Sequence, residues 1–212
     1  MVPEQFKKID WLVLTKAPVP GTVKTRLIPY LGEQQATDLY LSLLSRLYST
    51  LLEFKQQGIG STSLWISGDQ NHHAFECWKD LAEFHAQPDG DLGIKMATAV
   101  QSSLQLNRIP VLIGVDVPVL DVEYLSKAAQ ALLENDIVIS PAEDGGYGLL
   151  GLTQFHPQLF ESKDWGTDSV FADTRADLAV LKQQGFNWAE LPTVWDVDEV
   201  ADVERYLGTL CI

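Results

Sequence analysis

The sequence predicts a three-layer α/β/α protein: an open, mostly parallel sheet with helices on both faces. Three observations carry this. Short apolar runs alternate along the chain with amphipathic segments of helical period, the rhythm of successive βαβ units. The run at 110–115, Pro-Val-Leu-Ile-Gly-Val, is continuous and rich in β-branched residues, as a central strand buried on both faces requires. No repeat, linker or low-complexity stretch interrupts the 212 residues, so 1–212 reads as one domain.

The elements follow in order. Residues 9–15 are a short apolar run that hands over to a loop at Lys16-Ala17-Pro18. Residues 33–57 place Ala36, Leu39, Leu43, Leu47, Leu51 and Phe54 on one helical face, and Gly58 ends that helix as its C′ residue. A second strand at 62–67 meets a turn at Gly68-Asp69, and 71–81 reads as a short helix. A third strand, 83–86, leads through Pro88-Asp89-Gly90-Asp91 to an amphipathic helix at 92–104. After the central strand at 110–115 come Asp116-Val117-Pro118 and a helix at 122–134, capped by Asp121. Strands are expected at 136–140 and 147–152. A helix at 170–183 then sets Val170, Thr174, Leu178 and Leu181 on one face before Gly185. A last strand, 188–194, and a last helix, 200–207, complete the chain.

Composition narrows the function. With 46% hydrophobic and 21% charged residues this is an ordinary globular chain. No stretch approaches the roughly 20 apolar residues of a membrane span, and the first residues lack a secretory apolar core. Cys77 and Cys211 are too few for a disulfide framework, so a reduced, cytoplasmic protein is expected. A net charge of −14 argues against nucleic acid and anionic lipid as partners. The charge is unevenly spread. Residues 11–32 contain no Asp or Glu, where average composition places about three, yet hold Lys16, Lys24 and Arg26. Residues 190–204 contain six carboxylates and no Lys or Arg.

Open parallel sheets bind ligands at the carboxyl ends of their strands, which singles out the loops 16–26, 116–118 and 141–146. In the first, Pro18 and Pro20 stiffen the backbone, Gly21 permits close approach, and Lys24 and Arg26 can flank one anionic group. Each cation about 4 Å from a phosphate oxygen gains about 4 kcal/mol gross at an effective dielectric near 20. A solvated turn is the plainer alternative, and the missing acids speak against it. The segment is not a Walker loop, because Val23 stands where that pattern needs Gly before Lys24. Nor is Gly146-Tyr-Gly148-Leu-Leu-Gly151 a dinucleotide fingerprint, since its glycines fall within an expected strand.

Asp116, just past the central strand, suits either a divalent metal beside substrate phosphates or a turn cap. Asp196 and Asp198 share a direction in extended chain and can reach one cation, or they simply precede an acidic helix start. Asp144, with Gly145, Gly146 and Tyr147, offers a hydrogen-bond acceptor or general base beside an aromatic platform, or merely a glycine turn. Trp165 is a second pocket wall or a core residue. His72, His73, His85 and His156 lack zinc spacing, and no G-x-S-x-G occurs, which removes metal and serine hydrolases.

Taken together, Lys16-Ala-Pro-x-Pro-Gly-x-Val-Lys-Thr-Arg-Leu, Gly90-Asp-Leu-Gly, Ile113-Gly-x-Asp116-x-Pro, Pro141-Ala-x-Asp-Gly-Gly-Tyr147, Trp165 and Asp196-Val-Asp198 are similar to the motifs of one family. It comprises bacterial GT-A-type glycosyltransferase-like proteins described as nucleotide-diphospho-sugar transferases, some tied to arsenosugar biosynthesis. The resemblance spans residues 11–206 and implies a Rossmann-like GT-A fold and a transferase acting on a nucleotide-activated small molecule. The loop of Lys24 and Arg26 and the Asp-Val-Asp segment also resemble, more distantly, 2-phospholactate and molybdenum cofactor guanylyltransferases. By that likeness Lys16, Ala17, Pro18, Gly21, Lys24 and Arg26 take the nucleotide's phosphates. Gly90 to Lys95 lies near the base or ribose, and Asp116 and Asp198 take a divalent metal, Mg²⁺ or Mn²⁺. Val117 and Glu199 depart from the relatives' pattern and leave the nucleotide unassigned. The expected reaction is metal-dependent transfer from a nucleotide-diphosphate sugar. Lys24 and Arg26 would stabilise the departing diphosphate, and the acceptor would sit against Asp144, Gly145, Gly146, Tyr147 and Trp165. The alternatives are nucleotidyl transfer to a phosphorylated small molecule, with release of pyrophosphate, and nucleotide binding without catalysis. In each, the basic loop faces Asp116 and Asp198 across a metal–diphosphate.

Overall fold

The computed structural model describes residues 4–210, in which the apolar runs pair into one sheet. Its strands are β1 (Ile9–Lys16), β2 (Ser61–Ser67), β3 (Glu83–Ala86), β4 (Ile109–Gly114), β5 (Ile137–Pro141), β6 (Tyr147–Leu152) and β7 (Trp188–Glu190). Their spatial order is β3-β2-β1-β4-β6-β5-β7. All run parallel except β6, which is antiparallel to both neighbours. That reversal follows from the connection at 142–146, far too short for a crossover.

Side chains alternate across the sheet, so each strand feeds two cores. Trp11, Val13, Leu64 and Ile66 join the core made with α1 (Ile28–Gln57), α3 (Val122–Ala131) and α5 (Val200–Leu210). Leu12, Trp65, Leu112 and Ile139 face the other way, onto α2 (Leu92–Gln105) and α4 (Val170–Gln183). The three layers expected from the sequence are these two helical layers and the sheet between them.

Helix ends obey local chemistry. Asp91 and Asp121 cap α2 and α3, accepting from the amides of Ile94 at 2.9 Å and Tyr124 at 2.8 Å. Gly58 closes α1 with φ 71°.

The structure departs from the sequence reading at several element ends, among them α5, which runs to Leu210 rather than 207. α1 begins at Ile28, not 33, because a first turn with Pro29 near its start continues through Gly32, whose φ of 76° and ψ of 164° kink it. The segment 71–81 is a 3-10 helix, His73–Asp80, held by buried Phe75 and Trp78. α3 stops at Ala131, short of 134. β7 ends at Glu190 rather than 194, as Pro192 has no amide for a ladder; beyond it only the bridge Ala142–Val194 remains. No described helix is long and apolar enough to cross a membrane. Cys77 is free and exposed, while Cys211 lies outside the described residues.

Candidate active site

The site forms where β1 and β4 end and β6 begins. Tyr40 of α1 fixes the exit of β1: its hydroxyl lies 2.7 Å from Thr15 Oγ1 and accepts from the Lys16 amide at 3.1 Å. Gln87 braces the same edge, donating to the carbonyls of Thr15 at 2.9 Å and Trp65 at 3.0 Å. The loop after β1 then folds over buried Val23. Lys24 adopts left-handed backbone, φ 46° and ψ 43°, a conformation costly for a residue with a Cβ and frequent at functional sites.

That turn sends the Lys24 side chain inward, where it is 5% exposed. Its Nζ donates to Asp116 Oδ2 at 2.9 Å and to Asp198 Oδ1 at 2.8 Å. Burial disfavours its charge, but Asp116 and Asp198 outweigh burial and hold its pKa above the ordinary lysine value. Burial likewise opposes ionisation of Asp116, and Lys24 outweighs it, holding that carboxyl below the usual range. Arg26, largely exposed, reaches Asp198 Oδ2 with Nη1 at 3.1 Å. Asp116 is placed by the end of β4 and by the Val197 amide, which donates to its carbonyl at 3.0 Å.

Asp196 joins them: one carboxylate oxygen each from Asp116, Asp196 and Asp198 lie within 4.8 Å of one another. Burial, then Asp144, Asp116 and Asp198, push the Asp196 carboxyl up to about 7. Three convergent carboxylates are hard oxygen donors of the kind that suit Mg²⁺ or Mn²⁺. The charge count agrees. When all are ionised, Asp116, Asp144, Asp196 and Asp198 against Lys24 and Arg26 leave a surplus that one divalent cation would cancel.

The two electrostatic signals in the sequence therefore touch, rather than facing each other across a gap. Among the described residues Lys24 spends two of the three ammonium protons on carboxylates, leaving one for a ligand. The reason is crowding: carboxylates this close need a neutralising charge, and Lys24 is the buried one at hand.

Two adjoining chambers, with Asp116 and Tyr147 in the walls of both, lie at this centre. The larger, about 500 Å³, is lined by Lys16, Lys24, Arg26 and Lys95, with Asp116 and Asp198 among its other walls. The smaller, about 180 Å³, is lined by Asp116, Asp144, Asp196, Tyr147, Trp165 and Thr167, among others. Tyr147 and Trp165 meet edge to face at 6.4 Å. Burial raises the pKa of the Tyr147 phenol, whose hydroxyl contacts Met96 Sδ at 3.7 Å. Asp144 accepts the Gly146 amide at 2.9 Å through Oδ1.

Of the residues singled out by sequence, Ala17, Pro18, Gly21, Gly90 and Gly145 line neither chamber. Gly145, at φ 88°, packs so close to Asp168 that a Cβ would fall 2.2 Å from its carbonyl oxygen. Tyr40 and Gln87 carried no sequence signal, one reading as a core helix position and the other as loop. Asp196 was legible only as the partner of Asp198 two residues on.

This strand order and ligand crevice define an α/β, Rossmann-like fold of the nucleotide-diphospho-sugar transferase type. The chain belongs to the DUF2064 family, described as an uncharacterized protein conserved in bacteria, which matches residues 50–167. A search of curated proteins finds no match. Among solved structures, a protein from Desulfovibrio desulfuricans G20, provisionally described as a nucleotide-diphospho-sugar transferase, is 29% identical with a TM-score of 0.81, covering 94% of this chain and 87% of that one. The 4-diphosphocytidyl-2C-methyl-D-erythritol synthase of Anaerococcus prevotii DSM 20548 is 9% identical with a TM-score of 0.63, each chain covered in full (100%). Rv0371c of Mycobacterium tuberculosis H37Rv, solved with manganese, is 15% identical with a TM-score of 0.50, at 95% and 99% coverage. The last two likenesses concern the fold alone.

Proposed function

We propose that the protein is a metal-dependent transferase whose donor is a nucleotide-diphosphate sugar and whose acceptor is a small molecule. The observation that carries this is the junction of Lys24 with Asp116 and Asp198 on the wall of the larger chamber, with Asp196 completing a carboxylate triad. The likeness to the Desulfovibrio protein supports it.

In this reading Lys16, Lys24, Arg26 and Lys95 draw the donor's diphosphate into the larger chamber, a charge match inside an otherwise acidic protein. The spare N–H of Lys24 and the free donors of Arg26 stabilise the charge that develops on the diphosphate as it leaves. Asp116, Asp196 and Asp198 would hold Mg²⁺ or Mn²⁺, which supplies further neutralisation of that charge. The acceptor hydroxyl oxygen bonds to the anomeric carbon, and the bond from that carbon to the diphosphate oxygen breaks with its electron pair leaving on the diphosphate. The hydroxyl proton passes to the Asp144 carboxylate, whose Oδ1 is already oriented by the Gly146 amide.

Nucleotidyl transfer is the second reading, favoured by the shared fold with the diphosphocytidyl-methylerythritol synthase. There an acceptor phosphate oxygen bonds to the α-phosphorus of a nucleoside triphosphate and pyrophosphate leaves. Thermal-shift titration with Mg²⁺ or Mn²⁺, followed by product analysis, separates the two. Stabilisation by sugar nucleotides with release of nucleoside diphosphate is expected. Stabilisation by triphosphates alone, with pyrophosphate release, establishes the second reading instead, and binding without turnover leaves a nucleotide-binding protein.

A further inference from the structure

The two chambers differ in charge as well as size. Lys16, Lys24, Arg26 and Lys95 all line the larger one, whereas no Lys or Arg lines the smaller. The smaller one instead presents Asp116, Asp144 and Asp196, and among the described residues neither Asp144 nor Asp196 forms a salt bridge. Lys24, the cation bonded to its Asp116, is shared with Asp198. A molecule entering this space meets two aromatic side chains and three acceptor carboxylates, with Thr167 beside them. The volume corresponds to about six water molecules, the scale of a compact polyol or amino sugar.

We infer that the smaller chamber is an acceptor site selective for an uncharged or cationic, hydroxyl- or amine-bearing molecule and closed to phosphorylated ones. The inference rests on the larger chamber being the donor site. A phosphate in the smaller chamber would sit among carboxylates with no Lys or Arg to pair it. The divalent cation that Asp116, Asp196 and Asp198 would hold is taken up by the donor's diphosphate, so the phosphate's desolvation and its repulsion by Asp144 go uncompensated. Hydroxyl or ammonium donors, by contrast, find acceptors whose hydrogen-bonding capacity is unfilled, and the aromatic side chains of Tyr147 and Trp165 give the wall apolar surface of the kind that suits a sugar ring. Selectivity of this kind favours glycosyl transfer over nucleotidyl transfer to a phosphorylated acceptor, because the latter needs cations where this chain places acids.

The experiment compares glucosamine with glucosamine 6-phosphate, each titrated calorimetrically into protein saturated with a nucleoside diphosphate and Mg²⁺. Glucosamine should bind, and the phosphate should weaken binding on the order of ten-fold or more. Asp144→Asn, which keeps the oxygen that accepts the Gly146 amide, should shrink that phosphate penalty several-fold. Equal or tighter binding of the phosphorylated sugar overturns the inference, as does a penalty that Asp144→Asn leaves untouched. Binding of neither sugar overturns the assignment of the chamber to a hexose-sized acceptor. The donor reading is scored separately, by whether nucleoside diphosphate with Mg²⁺ raises Tm before any sugar is added; no rise there sinks that reading and not the charge preference, which is then read without nucleotide.

Discussion

Lys24 is a buried cation set between two carboxylates that are themselves about one-third exposed, 38% for Asp116 and 33% for Asp198. Breaking a fully buried pair costs several kcal/mol, but the solvent reaching these acids screens them, so Lys24→Met should lose only about 1–3 kcal/mol. Denaturant unfolding at low ionic strength measures this. Because the variant removes the cation shared by Asp116 and Asp198 and leaves only the exposed Arg26 on Asp198, Mg²⁺ should stabilise it more than it stabilises the parent. Equal stabilisation of both would mean that the ammonium and the metal do not compete for these carboxylates. Beyond the end of β6 remote from the site, His156 supplies a pH effect of its own. Its ring is buried against Phe186 at 4.6 Å, and Nε2 has no hydrogen-bond partner. Burial holds its pKa below the ordinary 6.5, and Asp136 only partly opposes this. The contribution of a neutral His156 is thus complete above pH 6.5 and is lost as pH falls below it, since the unfolded chain binds the proton more readily. In His156→Phe, stability should decline less steeply between about pH 6.5 and 5 than in the parent. Parallel slopes would place the group elsewhere.

Two glycines on different helices test packing against propensity. Gly93 opens α2 beneath Trp165, and an added Cβ would fall 2.2 Å from the Phe160 carbonyl oxygen and 2.7 Å from Trp165 Nε1. Gly93→Ala should cost about 1–3 kcal/mol and move one wall of the smaller chamber. Gly208 lies in α5 with nothing within 4 Å of such a Cβ, so Gly208→Ala should gain about 0.5–1 kcal/mol from helix propensity alone. Thermal unfolding of both variants checks the opposite signs. The element scale is also where the sequence was most legible. The spans of β3, β6 and α4 are those its periodicity predicts, because apolar spacing is fixed by the same burial that forms the element. It was least legible at ends decided from outside. β7 halts at Glu190 because Pro192 cannot continue a ladder, although its apolar pattern runs on to Val194. Of the site, Lys24, Arg26, Asp196 and Asp198 are legible through the uneven distribution of charge along the chain, and Asp116 and Asp144 through their places in loops that follow expected strands. What escaped was geometry. Nothing local reveals that a left-handed Lys24 points at Asp116 and Asp198, or that Tyr40, deep in a helix, pins the end of β1.

Over the whole molecule, residues remote in sequence meet at this centre, the Lys24–Asp198 contact spanning 174 positions. The carboxyl-terminal segment is docked for that purpose. Tyr206 of α5 is 1% exposed and its hydroxyl lies 2.8 Å from Ser42 Oγ on α1, while Arg205 stacks 4.1 Å over the Trp195 ring and donates to Glu143 beside Asp144. Around the site lies a protein of net charge −14, which repels any nucleotide at long range. Attraction and repulsion therefore act over different distances. Pairs a few ångströms apart inside the larger chamber are weakly screened, whereas the field of the whole surface is cut off at the Debye length, about 30 Å at 0.01 M salt and about 8 Å at 0.15 M. Most anion sites lose ligand as salt rises. Here the association rate of a nucleoside diphosphate, measured by stopped flow in metal-free buffer, should instead increase between those two concentrations, with little change in dissociation rate. A falling association rate would mean that the basic loop, rather than the acidic body, governs the approach of the ligand.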